Sequence, residues 1–237
     1  MSGPDHAAEQ RQRPAWLERL AQAADGVRPD QFRRIPNPPD GSGRLSAVLM
    51  VLGPTSDGPG VLLLQRASTM RTHAGQVAFP GGAADPGDRD SAATALREAR
   101  EEVGLDPASV EVVAQLPALF LPPSGFLVTP VLAWWHDPHE VGVVDEHEVA
   151  RVEMVPISEL TDPANRFSVQ HPRGGVGAGF STRGLFIWGF TAGLLDHLLQ
   201  LGGWARDWDV DDVRPLPSRA GRPDLVTPKG DAGTVAS

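Results

Sequence analysis

Residues 90 to 104 constrain this chain more tightly than any other stretch. The apolar side chains Ala92, Ala95, Leu96, Ala99 and Val103 recur every three to four positions, which is the period of one helix face. Asp90 or Ser91 supplies an N-cap and Gly104 a C-terminal stop. The pattern predicts a helix whose inner face is mostly alanine and can sit close to a sheet. The rest of the chain therefore has to provide that sheet.

It has the material to do so. Residues 46–52 and 61–64 are nearly continuous apolar runs rich in Val and Leu, and they predict two buried strands joined by a Gly/Pro/Asp/Ser loop over 53–60. Strand signals return at 110–116, 126–134 and 149–155. Pro156 marks a break, and 157–160 reads as a short helical turn. Over 188–201, Phe190, Leu194, Leu198 and Leu201 share one face against Asp196 and Gln200, which predicts a second amphipathic helix. Strands and helices mix without regular alternation, so the expected class is α/β, with a mixed sheet and helices packed on both sides.

The ends read as looser. Trp16, Leu17, Leu20 and Ala24 fall at helical spacing, so the N-terminal segment 1–44 is expected to carry a short docking helix. The main domain is expected over 45–204. The polar, proline-containing stretch 205–237 is expected to be a flexible tail, and 174–179 a flexible glycine connector.

Thirty acidic residues against 21 basic ones leave a formal net charge of -9. That balance argues against a nucleic-acid partner gripped through its phosphates. Cysteine is absent, which removes disulfides, thiolate nucleophiles and Cys-based zinc sites. The chain shows neither an N-terminal apolar run of signal-peptide type nor ~20 continuous apolar residues, so a cytoplasmic protein without a membrane partner is expected. A phosphate-bearing substrate would need local arginines, a helix N-terminus or a bound metal.

The chemistry-bearing residues lie on the predicted helix. Glu98, Glu101 and Glu102 stand at i, i+3 and i+4, so three carboxylates share one face. One reading is a solvated acidic face partnered by Arg97 and Arg100. The other takes account of Phe79-Pro80-Gly81-Gly82 and the loop holding Asp85, Gly87 and Asp88 just upstream. Carboxylate and carbonyl oxygens at such a junction suit Mg²⁺ or Mn²⁺ shared with substrate phosphate. A carboxylate not taken up by metal can accept a proton from attacking water.

Residues 82 to 105, GAADPGDRDSAATALREAREEVGL, resemble the Nudix box, G-x5-E-x7-R-E-U-x-E-E-x-G-U, where U is a bulky aliphatic residue. Arg97, Glu98, Glu101, Glu102, Gly104 and Leu105 match. Ala99 replaces a larger aliphatic residue, and the interval from Gly82 to Arg97 is one residue longer than the box. The early glutamate has no counterpart in register, and Asp88 is the nearest acid. The longer spacing is similar to the coenzyme A pyrophosphatase branch, whose further motif is L-L-T-x-R-[SA]-x3-R-x3-G-x3-F-P-G-G. Leu62, Leu63, Arg66, Ala67, Arg71, Gly75 and residues 79–82 follow it, with Leu64 in place of Thr.

This resemblance implies a Nudix-type α/β/α sandwich around a central mixed sheet. It also implies hydrolysis of coenzyme A or acyl-coenzyme A to 3′,5′-ADP and (acyl-)4′-phosphopantetheine with Mg²⁺ or Mn²⁺. Glu98 and Glu102 are then the principal metal ligands, and Glu101 is a further ligand or the general base. Arg97 orients a carboxylate, and Glu148 is the candidate acid from outside the box. Arg66 and Arg71 are expected to meet substrate phosphate, with Gly81 and Gly82 lining the site. The partner is expected to be a small coenzyme A-like nucleotide, and a homodimer is the assembly considered. Two alternatives stand beside this: a Nudix hydrolase of ADP-ribose, NADH or a dNTP, and a nucleotide sensor without turnover.

Overall fold

The computed structural model describes residues 13–28, 42–69, 73–122, 124–171 and 174–217. In chain order the first elements are α1 (Ala15–Asp25), β1 (Arg44–Thr55), β2 (Gly58–Arg66), β3 (Val77–Ala78), β4 (Gly81–Ala83) and α2 (Ser91–Val103). Next come β5 (Val110–Gln115), β6 (Leu119–Leu121), β7 (Phe126–Trp135), β8 (Val149–Pro156) and α3 (Ile157–Leu160). The chain closes with β9 (Arg166–Gln170), β10 (Val176–Thr182), β11 (Leu185–Ile187), α4 (Gly189–Leu201) and β12 (Val213–Arg214).

The two apolar runs near the start become β1 and β2, an antiparallel pair. Their loop is shorter than the expected 53–60, because Thr55 pairs directly with Gly58 and Gly53 with Gly60. Only Ser56 and Asp57 turn the chain. On its other edge β1 runs parallel to β7, while β7 pairs antiparallel with β5 and β6. β8 covers the outer edge of β2. The remaining edges of this pair are filled by two short strands, β3 against the end of β2 and β4 against the start of β1. The result is an eight-stranded mixed sheet.

α2 lies on one face of that sheet. Ala95, Ala99 and Val103 pack against Ala47, Leu49, Val51, Val131 and Ala133, and the alanine-lined face brings the helix close to the strands as its sequence implies. Both predicted caps are present. The Asp90 carboxylate accepts the Ala93 N–H at 2.8 Å, and Gly104 takes the left-handed conformation at φ 72°. The opposite face is covered by α1, α4 and a second sheet in the order β11-β10-β9-β12. α1 buries Leu17, Leu20 and Ala24, and Trp16 meets Trp204 with ring centroids 5.6 Å apart.

Two expectations fail here. Residues 174–179 are not a loose connector, since β10 begins at Val176 and pairs with β9 through Phe180. Gly179 is required by packing: a Cβ there would lie 2.5 Å from Val169 and 2.6 Å from Phe167. The stretch from Ala205 is likewise not loose as far as residue 217. Trp208 stacks on the Arg166 guanidinium at 4.6 Å, Ser168 donates to the Val210 carbonyl, and β12 pairs in parallel with β9. The rest of the expected tail, 218–237, lies outside the described residues.

Candidate active site

Where β3 and β4 join, the chain passes beneath α2, and backbone and helix meet at two glycines. The Gly81 N–H donates to the Glu102 carboxylate at 2.9 Å. Gly82 lies directly under Glu98, so close that a Cβ there would sit 2.4 Å from its Oε1. No residue with a side chain fits that position unless Glu98 moves. Gly82 pairs with Ala47 on β1, and Ser46 Oγ donates to its carbonyl at 2.6 Å. The strand therefore holds the glycine while the helix holds the acid.

Arg97 organises the outer side. Its guanidinium donates to both oxygens of Asp88 at 3.1 and 3.0 Å, to Glu98 at 3.0 Å, to Glu101 at 3.1 Å and to the Ala83 carbonyl at 2.9 Å. The bidentate bond from Arg97 lowers the Asp88 carboxyl to about 2. This accounts for the departure from the box. The acid nearest the missing early glutamate secures the arginine that in turn holds Glu98 and Glu101.

The inner side is a desolvated carboxylate. Glu102 is 5% exposed, and burial pushes its carboxyl up to about 7. The Gly81 N–H and the Arg66 guanidinium pull the other way, whereas Glu98 and Glu148 add repulsion. Burial also raises the Glu98 carboxyl above the ordinary range. Buried like charges of this kind are costly unless a cation meets them.

Arg66 ends β2 and places Nη1 3.7 Å from Glu102 Oε1. Its buried Nε has no hydrogen-bond partner. Glu148 stands at the entry to β8, where its carbonyl accepts the Ala67 N–H at 2.8 Å. The fold thus brings Arg66, Gly81, Gly82, Arg97, Glu98, Glu101, Glu102 and Glu148 to one end of the sheet. Arg71 lies outside the described residues.

One connection has no signal in the sequence. The Gly142 N–H donates to the Val103 carbonyl at 3.0 Å and the Val144 N–H to the Glu102 carbonyl at 3.3 Å. These bonds satisfy the open end of α2 and tie the segment leading to Glu148 onto the carboxylate helix.

A family model described as NUDIX domain matches residues 43–173, and those residues contain every site element described above. The chain belongs to the Nudix family. It is 45% identical over 152 residues to an uncharacterized Nudix hydrolase NudL of Citrobacter koseri, covering 61% of this chain and 76% of the relative. With the protein of the same description in Cronobacter sakazakii it shares 38% identity over 205 residues, 80% of this chain and 96% of the relative. Among solved structures, a Nudix hydrolase from Nitrosomonas europaea aligns at TM-score 0.44 and 12% identity, over 74% of this chain and 80% of that one. The Ap4A hydrolase of C. elegans aligns at TM-score 0.41 and 22% identity, over 48% and 82%.

As a Nudix hydrolase the protein acts on a nucleoside diphosphate derivative. Enzymes of this family generally use divalent cations such as Mg²⁺ or Mn²⁺. Among the described residues no three acids or histidines are grouped so as to hold an ion, and Glu98 and Glu101 are bonded to Arg97. The donor set nevertheless fits a hard cation. Glu98 and Glu102 are desolvated oxygen donors, and Glu148 is close enough to raise Glu102. No helix among the described residues is long and apolar enough to cross a membrane.

Proposed function

We propose that this Nudix hydrolase cleaves the diphosphate of coenzyme A or acyl-coenzyme A, giving 3′,5′-ADP and (acyl-)4′-phosphopantetheine. The observation that carries the reading is the position of Arg66. This residue of the motif preceding the box stands 3.7 Å from Glu102, with a buried Nε that bonds to nothing. Glu98 and Glu102 would hold Mg²⁺ or Mn²⁺, with Glu148 and Glu101 as further ligands. When bound, the cation supplies charge neutralisation for the diphosphate and Lewis-acid activation of water.

The chain's own groups do the rest. Arg66 offers a planar donor set to a phosphate. Arg97 does not reach the substrate, because Asp88 and Ala83 hold it, and it fixes the directions of Glu98 and Glu101 instead. Glu101 is the most exposed of the three helix acids, with 59% of its side chain open; where the cation does not take it up as a ligand, it would accept a proton from water. Gly81 and Gly82 keep the floor of the site free of side chains. Arg71, in the same motif, is assigned to phosphate on the resemblance alone.

Purified protein with Mg²⁺ or Mn²⁺ should convert coenzyme A to the two products, and chromatography would identify both. The same panel includes acyl-coenzyme A, ADP-ribose, NADH and dNTPs. Intact coenzyme A beside turnover of another member would reject the substrate and keep the family chemistry. No turnover of any member would favour a nucleotide sensor.

A further inference from the structure

The connection from β2 to β3 holds one side chain in a backbone conformation that it does not favour. His73 has φ 57°, in the left-handed region where glycine rests without strain and histidine does not. Such a conformation persists only where the surroundings fix it, and here two bonds do so. The Gln76 N–H donates to the His73 carbonyl at 3.1 Å, and His73 Nδ1 lies 2.7 Å from Gln76 Oε1. A glycine would make the same turn at lower cost, so what the histidine adds is its ring.

The register of β2 and β3 shows where that ring stands. Leu64 pairs with Ala78 and Gln65 with Val77, which puts Gln76 opposite Arg66, and the Arg66 N–H donates to the Gln76 carbonyl at 2.9 Å. Leu64 and Ala78 pack into the core beneath α2, and Val77 into the opposite core. Alternation therefore places Gln76 and Arg66 on the α2 face, with their Cβ atoms roughly 5 Å apart. Arg66 meets Glu102 on that face. The side chains thus run from Glu102 through Arg66 to Gln76 and the exposed His73 ring. Gln76 Oε1 accepts the Nδ1–H, since an amide oxygen has no proton to give. That leaves Nε2, on the far side of the ring, for a ligand.

We infer that His73 Nε2–H donates to a phosphate oxygen of the substrate's diphosphate, beside Arg66. This rests on the reading of Arg66 as a phosphate ligand and extends it from one donor to a row. A diphosphate carries anionic oxygens on both phosphorus atoms, and the Arg66 guanidinium also faces Glu102. His73 supplies the next donor along the same face. In this form the ring carries a proton on each nitrogen, one for Gln76 and one for the phosphate, and it brings positive charge to a site crowded with acids. His73 is then a substrate-binding residue, and Gln76 sets which of its nitrogens faces the ligand.

The test uses the full chain with Mg²⁺ and ADP, a diphosphate whose binding calorimetry reads without turnover. His73→Asn is the deciding variant. Asparagine tolerates the left-handed backbone, and its amide N–H can still reach Gln76 Oε1, but it has nothing in the place of Nε2. With native circular dichroism, it should bind ADP about thirtyfold more weakly than wild type, the scale of one charge-assisted hydrogen bond. kcat/KM for coenzyme A should fall by a similar factor, and Arg66→Ala should also weaken ADP. Wild-type affinity in His73→Asn beside a weakened His73→Ala would show that the ring only closes its turn, which overturns the inference while the Arg66 reading stands. If Arg66→Ala binds ADP as wild type does, or if wild-type protein does not bind ADP, phosphate recognition by the whole row is overturned. If His73→Asn weakens ADP while wild-type protein leaves coenzyme A intact, the inference holds and the coenzyme A reading alone is lost.

Discussion

Replacing Glu102 with Gln isolates the more deeply buried of the two helix carboxylates that burial holds against ionisation. Its ordinary value is 4.5, and in the folded protein it titrates at about 7. A folded-state pKa above the unfolded one means that the folded chain retains the proton over this interval. The stability this proton supplies is full below pH 4.5 and is lost as pH rises through 7. The interval from 4.5 to about 7 corresponds to roughly 3 kcal/mol against the ionised folded state. Gln resembles the protonated acid, and its Oε1 can still accept the Gly81 N–H. In EDTA, urea denaturation should therefore find Glu102→Gln more stable than wild type by about 3 kcal/mol at pH 8, with the gap closing to about 1 kcal/mol at pH 5. Mg²⁺ or Mn²⁺ should reverse the order by stabilising wild type alone, while turnover in the variant falls by orders of magnitude. Wild-type stability that is flat from pH 5 to 8, or a variant with wild-type activity, would refute the assignment of Glu102 as a buried metal-holding carboxylate.

Three further outcomes follow from named contacts. Gly82→Ala puts a methyl group 2.4 Å from Glu98 Oε1, so kcat should fall about a hundredfold while circular dichroism stays native, the scale expected when a site group is displaced by about 1 Å. Arg66→Ala should weaken kcat/KM more than Arg66→Lys does, since Lys keeps the charge and loses the planar fork; equal loss in both would count against phosphate recognition by the guanidinium. Asp196→Ala leaves the 2%-exposed Arg166 without its carboxylate, although Phe180 and Trp208 still stack on it. Urea midpoints should report a loss of about 3 kcal/mol, the usual consequence of stranding one buried charge, with activity at low urea retained.

What could be read in advance was local. α2 was legible to within a residue or two because its period, Asp90 cap and Gly104 stop all fall within one stretch, and the Glu98, Glu101 and Glu102 spacing follows from helix geometry. The misread segments depend on distant partners. Gly179 looks like part of a flexible run until Phe167 and Val169 of β9 are seen against it. Trp208 looks like tail until the buried Arg166 lies beneath it. Asp88 and Arg97 are nine residues apart, a spacing with no helical meaning, and only the return of the loop brings them together. The bonds from Gly142 and Val144 to the end of α2 involve backbone alone, so no side-chain pattern could have announced them.

The overall charge makes the same point about distance. Residues 85–102 and 137–148 carry -3 and -5 of the chain's -9, and along the chain they are separate acidic stretches. In the fold, Val144 donates to the carbonyl of Glu102, and Glu148 raises the same residue's carboxyl. The two stretches thus repel across a single site that Arg66 and Arg97 offset only in part. An acidic chain in which Glu98 and Glu148, one from each stretch, act on one buried carboxylate draws divalent cations there before it meets a polyanion. Its acidity therefore does not oppose a diphosphate substrate. The observable consequence is that substrate affinity should depend steeply on Mg²⁺ or Mn²⁺ concentration, and only weakly on the removal of acids elsewhere on the surface.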